Sequence, residues 1–134
     1  MAWRLSQRQR GDAIVEFILV VPILLLILFG ILELGRVIDA WIVVQNAARE
    51  GARTGAQTAS TIAAGPAAQQ AASTYLNSAF SNRDDVDAKR VGTPVVSSDA
   101  VQVTAEADIH IYTPLMQSIL SPAVPVRATA IMPR

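Results

Sequence analysis

The sequence predicts an α+β chain: one long N-terminal helix, half in a membrane and half in water, then a second short helix and a small antiparallel sheet of about three strands. Three observations predict it. Phe17–Leu32 is apolar and free of charge, a helical spacing of three and four continues beyond it, and the last third of the chain alternates apolar with polar residues. The expected divisions are a basic cytoplasmic leader over 1–11, a transmembrane helix over 12–34, an exported helical region over 35–82 and a β-rich region over 83–134 packed on the helices.

The apolar run is long enough to span. From Ala13 to Leu34 there are about twenty-two residues, roughly 33 Å of helix against a hydrocarbon core of about 30 Å. Only a helix satisfies a single segment's backbone groups in that medium. Arg4, Arg8 and Arg10 precede it with no acid among them, so the N-terminus is expected to stay cytoplasmic. The run exceeds the 7–15 apolar residues typical of an ordinary secretory signal, and no small-x-small cleavage site follows. Composition agrees with one span plus a water-exposed domain: 51% of the 134 residues are hydrophobic and 16% charged, at a mean hydropathy of +0.36.

Two residues in the span are unusual. Glu16 lies a few residues inside it, where a carboxylate costs about 2–3 kcal/mol unless paired, neutralised or near the interface. Either it reaches water at the headgroup boundary, or it meets a positive charge from another chain or a new amino terminus. Pro22 removes a backbone donor and crowds the carbonyl of Ile18, which should kink or loosen the helix. Gly30 and Gly35 are either close-packing points for another helix or the tolerated glycines common in membrane helices.

Past the span, Val37, Ile38, Trp41, Val44, Ala48, Gly51, Ala52 and Gly55 recur at helical spacing, so one helix is expected from about Asp12 to Ala59. Arg36 and Trp41 suit an interfacial anchor. The small residues Ala48, Gly51, Ala52 and Gly55 invite close contact with another element, unless they only tune helix propensity. TIAAGP is expected to be a loop, with Pro66 in the first turn of the second helix. The stripe Ala68, Ala71, Ala72, Tyr75, Leu76, Ala79 and Phe80 follows. SNRDDVDAKR has no periodicity and is expected to be a solvated turn. Asp84, Asp85 and Asp87 offer oxygen ligands, but they lack the glycine and closing glutamate of a calcium loop.

Val101 to Tyr112 alternates with period two, as does Val124 to Met132, and Thr93–Val96 adds a shorter run. PLMQSIL joins the two long strands as a helical-looking connection available for contact. His110, the single histidine, falls on the polar side of its strand. No cysteine is present, which excludes disulfides and thiol chemistry. A formal net charge of zero gives no basic stripe for nucleic acid. No catalytic constellation, metal site or cofactor motif is expected, so the chain reads as a non-enzyme.

Gly11, then four residues, then Glu16-Phe17, at the junction of a basic leader and an apolar helix, resembles the processing site of type IV prepilins. The longer stretch from Arg10 to Arg53, with its Pro22, its Phe29-Gly30 and Glu33-Leu34-Gly35-Arg36 exit and its Asn46–Arg53 segment, resembles TadE-like proteins of tight-adherence pilus systems. The closing VPVRATAIMPR is similar to the family's last strand.

The resemblance implies a pilin-like minor subunit or assembly factor in the bacterial inner membrane, with its C-terminal domain exported and a place at the pilus or cell surface open to it. It implies cleavage between Gly11 and Asp12 by a prepilin peptidase. It further implies an assembly role for Glu16, Phe17 and Pro22 with other pilin-like subunits and the assembly platform, as an oligomer of like or unlike chains. Asp12 stands where type IV pilins usually carry Phe or Met, which suits a minor or initiating subunit. The alternative is an uncleaved single-pass envelope protein whose exported domain scaffolds a secretion complex or binds a partner.

Overall fold

The computed structural model describes residues 3–119 and 121–134, with the side chains of 13–114, 116–119 and 121–134. The leader arginines Arg4, Arg8 and Arg10 and the processing pair Gly11–Asp12 lie outside the described side chains.

A single helix, α1 (Trp3–Gln57), runs unbroken through Pro22. α2 (Thr61–Ala79) turns back along its distal half, and the chain then forms β1 (Val86–Val91), β2 (Val95–Val96), β3 (Ala100–His110), a short α3 (Pro114–Ile119) and β4 (Ala123–Pro133). The architecture is the expected α+β arrangement, but the antiparallel sheet has four strands where about three were expected. β3 is its centre: β4 pairs along the whole of one side, while β1 and β2 share the other.

β3 shows why its sequence was readable. Its residues alternate between partial and complete burial along the strand, with Val101, Val103, Ala105, Ala107 and Ile109 turned to the helices. The opposite face carries polar pairs: Glu106 accepts from Arg127 at 2.6 Å, Arg90 meets Asp108 at 2.6 Å, and Thr104 and Thr129 lie 3.0 Å apart.

β1 is the strand that the expected solvated turn conceals. A register shift between Val86 and Ala88 breaks the period of two, and an edge strand tolerates Lys89 and Arg90 facing water. The expected TIAAGP loop is likewise helix. Ser60 caps α2 by accepting from the Ala63 amide, which starts it five residues before Pro66. Pro66 then sits on the exposed side near the helix start, where only one backbone bond is forgone.

The helices meet through very small side chains. Ala40, Val44, Ala47, Ala48 and Ala52 of α1 and Ala64, Ala68, Ala72 and Leu76 of α2 are fully or almost fully buried. A Cβ at Gly51 would stand 2.8 Å from the Ala68 carbonyl, and one at Gly55 2.9 Å from Ala68 Cβ, so both glycines set how closely the helices approach. Nearer the apolar stretch the buried face departs from the expected stripe. It runs through Val37 and Ala40, while Ile38 and Trp41 are 48% and 44% exposed.

Candidate functional site

Two acids frame the apolar stretch of α1, and they have opposite environments. Glu16 at its start is exposed, and nothing among the described residues pairs with it. Phe17 beside it is 67% exposed, and Pro22 is exposed too. The segment has the character of a span: an 18-residue window within Ala13–Gln57 reaches a mean hydropathy of 3.0, and none of it is buried by the rest of the chain. One face is an exception, where Leu26, Gly30 and Glu33 are partly or fully covered.

Glu33, at the far end, is buried at 6% exposure. Its Oε1 accepts from the Tyr112 amide at 3.0 Å, the Thr113 amide at 3.1 Å and the Thr113 hydroxyl at 3.0 Å. Its Oε2 accepts from Arg36 at 2.9 Å. Arg36 stacks on the Tyr112 ring, 4.6 Å from its centroid, and reaches Asp85 at 3.1 Å. Arg83 grips Asp85 through two bonds of 2.7 and 2.9 Å and also donates to Asp39. Glu33, Arg36, Asp85, Arg83 and Asp39 thus form one alternating chain of charge around the neck. It ties the α2–β1 and β3–α3 connections to α1 where the apolar run ends.

Asp85 corrects the expectation of a solvated aspartate turn, since it is only 6% exposed. Hydrogen bonds from Arg83 hold its carboxyl down at about 2 from the usual 3.8, against the opposing effect of burial, with the charges of Arg83 and Arg36 adding to the shift. A carboxyl whose folded pKa lies below its unfolded one stabilises the fold above the unfolded value and loses that contribution as pH falls through the folded value. Asp85 is therefore expected to contribute about 2 kcal/mol at neutral pH that disappears between about pH 4 and about pH 2. In denaturant titrations at about pH 6 and about pH 2.5, Asp85→Asn should show a correspondingly smaller loss on acidification. An unchanged loss in the variant would contradict the assignment.

The remaining sequence-selected positions are scattered. Gly30 lies under Met116, whose Cε is 3.1 Å from where a Cβ would stand, whereas Gly35 faces open space. Ala48, Gly51, Ala52 and Gly55 sit inside the α1–α2 contact. His110 approaches Asp87 at 3.3 Å on the outer face of the sheet.

The neck network was missed in sequence, although half of it left a mark. An acid closing an apolar run, with an arginine three residues on, is an ion-pair spacing on a helix. The partners Asp85 and Arg83, about fifty residues away, leave no local sign.

No curated protein matches the chain, and no solved structure does. A family model described as TadE-like protein matches residues 11–53. The match begins at the expected processing glycine, takes in the apolar stretch with Glu16 and Pro22, and ends just beyond Gly51. It covers Glu33 and Arg36 of the neck but neither α2 nor the sheet. Over residues 11–53, the chain is similar to the TadE-like family.

Proposed function

We propose that this chain is a pilin-like minor subunit or assembly factor of a bacterial tight-adherence pilus. It is held in the inner membrane by α1 with its N-terminus cytoplasmic, and it is matured after Gly11 by a prepilin peptidase. The observation that carries this reading is the contrast between the two acids. About 26 Å of helix separates Glu16 from Glu33, so a bilayer covering the apolar stretch brings both close to its hydrocarbon. Glu33 is neutralised and hydrogen-bonded within the chain, whereas Glu16 has no partner among the described residues. A carboxylate left unpaired beside lipid favours any arrangement that brings it a positive group.

On this reading the role is mechanical and needs no catalytic residue or cofactor. The leader arginines set orientation. Cleavage after Gly11 exposes an amine on Asp12, and such an amine on a neighbouring subunit is the positive group that Glu16 meets. Phe17 and the exposed apolar face then pack beside other pilin-like helices on the assembly platform, with the α+β head outside.

The test is paired. Gly11→Ala should leave the leader on, seen as an intact mass retaining residues 1–11. Glu16→Ala should mature normally yet reduce surface fibres at least tenfold at matched protein level. A native chain that keeps its leader would instead favour a static envelope anchor, and normal fibres from the Glu16→Ala strain would remove the assembly role.

A further inference from the structure

The connection between the two long strands folds back along α1 toward the apolar stretch. Thr113, Pro114 and Met116 share one apolar hollow with Pro22, Leu25, Leu26 and Phe29 of α1, and Met116 covers Gly30. From Arg36, which marks the neck, Gly30 is about 9 Å and Pro22 about 21 Å along the helix axis on the membrane side. Any bilayer that contains this part of α1 also contains what lies against it.

The geometry points to α3 as a second lipid-embedded element, seated in the leaflet on the head's side of the membrane beside the span. This rests on α1 being a span, and it adds that the head holds the membrane at two points.

Two further observations support it. The sequence from Ile111 to Val126 contains no charged residue, whereas the strands on either side carry Glu106, Asp108 and Arg127. Several of the polar groups that would enter lipid are also engaged within the chain. The amides of Tyr112 and Thr113 and the Thr113 hydroxyl donate to Glu33, the Met116 and Gln117 amides donate to the Thr113 carbonyl, and the Gln117 side chain donates to the Ile111 carbonyl. Such internal pairing is what hydrocarbon requires of a segment that enters it. At the upper boundary Tyr112, half exposed beneath the Arg36 guanidinium, has the character of a headgroup-level aromatic. Ile119 at the end of α3 is 67% exposed, a surface that lipid would cover. Glu33 has a definite part in this: it cancels the backbone polarity at the point where the chain turns down into the bilayer.

The absence of cysteine allows single reporters on the full-length chain. Pro114→Cys and Ile119→Cys flank α3, Leu24→Cys reports the span, and Ile62→Cys, at a residue 90% exposed on α2, reports water. Each is labelled with bimane and reconstituted at high dilution in phosphatidylcholine–phosphatidylglycerol vesicles, with or without brominated acyl chains. Quenching of at least twofold is expected at 24, 114 and 119 and none at 62. If 114 and 119 behave like 62 while 24 is quenched, the second anchor is wrong and the span stands. If 24 also escapes quenching, both fall. Sites at α3 shielded from an impermeant maleimide yet unquenched by brominated lipid would mean burial against protein, which overturns lipid insertion.

Discussion

Glu33→Ala is expected to cost the α+β head about 3 kcal/mol, the cost typical of breaking a buried ion pair from one side. The carboxylate accepts from two backbone amides and a hydroxyl and also engages Arg36, so truncation strands several donors at once. Glu33→Gln keeps an oxygen for Tyr112 and Thr113 but not the charge facing Arg36, and Arg36 retains Asp85. It should cost about half as much. Urea unfolding in a mild detergent, followed by circular dichroism, reads both. A Glu33→Ala variant within about 0.5 kcal/mol of the native chain would show that the neck network has no structural weight.

Gly51→Ala should be the next most damaging small change. Alanine is the better helix former by about 1 kcal/mol, so the sign depends on space. At Gly51 the new methyl would lie 2.8 Å from the Ala68 carbonyl oxygen and 2.9 Å from Ala72 Cβ, and backbone does not yield as a side-chain tip would. Forcing the helices apart should outweigh propensity, giving a net loss of about 2 kcal/mol. For a head of this size that is roughly a 10 °C lower melting temperature. Gly35→Ala is the matched control, because nothing lies within 4 Å of its would-be Cβ. It should be neutral or slightly stabilising. Equal melting temperatures for the two variants would remove the close-approach account of α1 and α2.

The parts of the fold legible in sequence are those whose periodicity survives tertiary contact. β3 keeps a strict alternation because one face meets the helices and the other carries a ladder of polar pairs. The long helix was legible from apolar continuity and then from spacing. β1 was not, since its bulge resets the alternation and its edge position admits charged residues. The start of α2 was hidden because Gly65-Pro66 reads as a break, while Ser60 had already begun the helix upstream. The neck network lay furthest out of reach: Glu33 and Arg36 share a helical spacing, but Asp85 looks like an ordinary solvated acid until the fold brings Arg36 and Arg83 to it. Glu16, in contrast, was visible from its position alone, as an acid just inside an apolar run.

The central claim is that α1 is a lipid-embedded rod from which the α+β head projects. Alkaline carbonate washing of membranes from cells making the native chain tests this most directly. The chain should stay in the membrane pellet through the wash and be released only by detergent. Release into the carbonate supernatant, with the chain remaining dissolved and monodisperse without detergent, would contradict it.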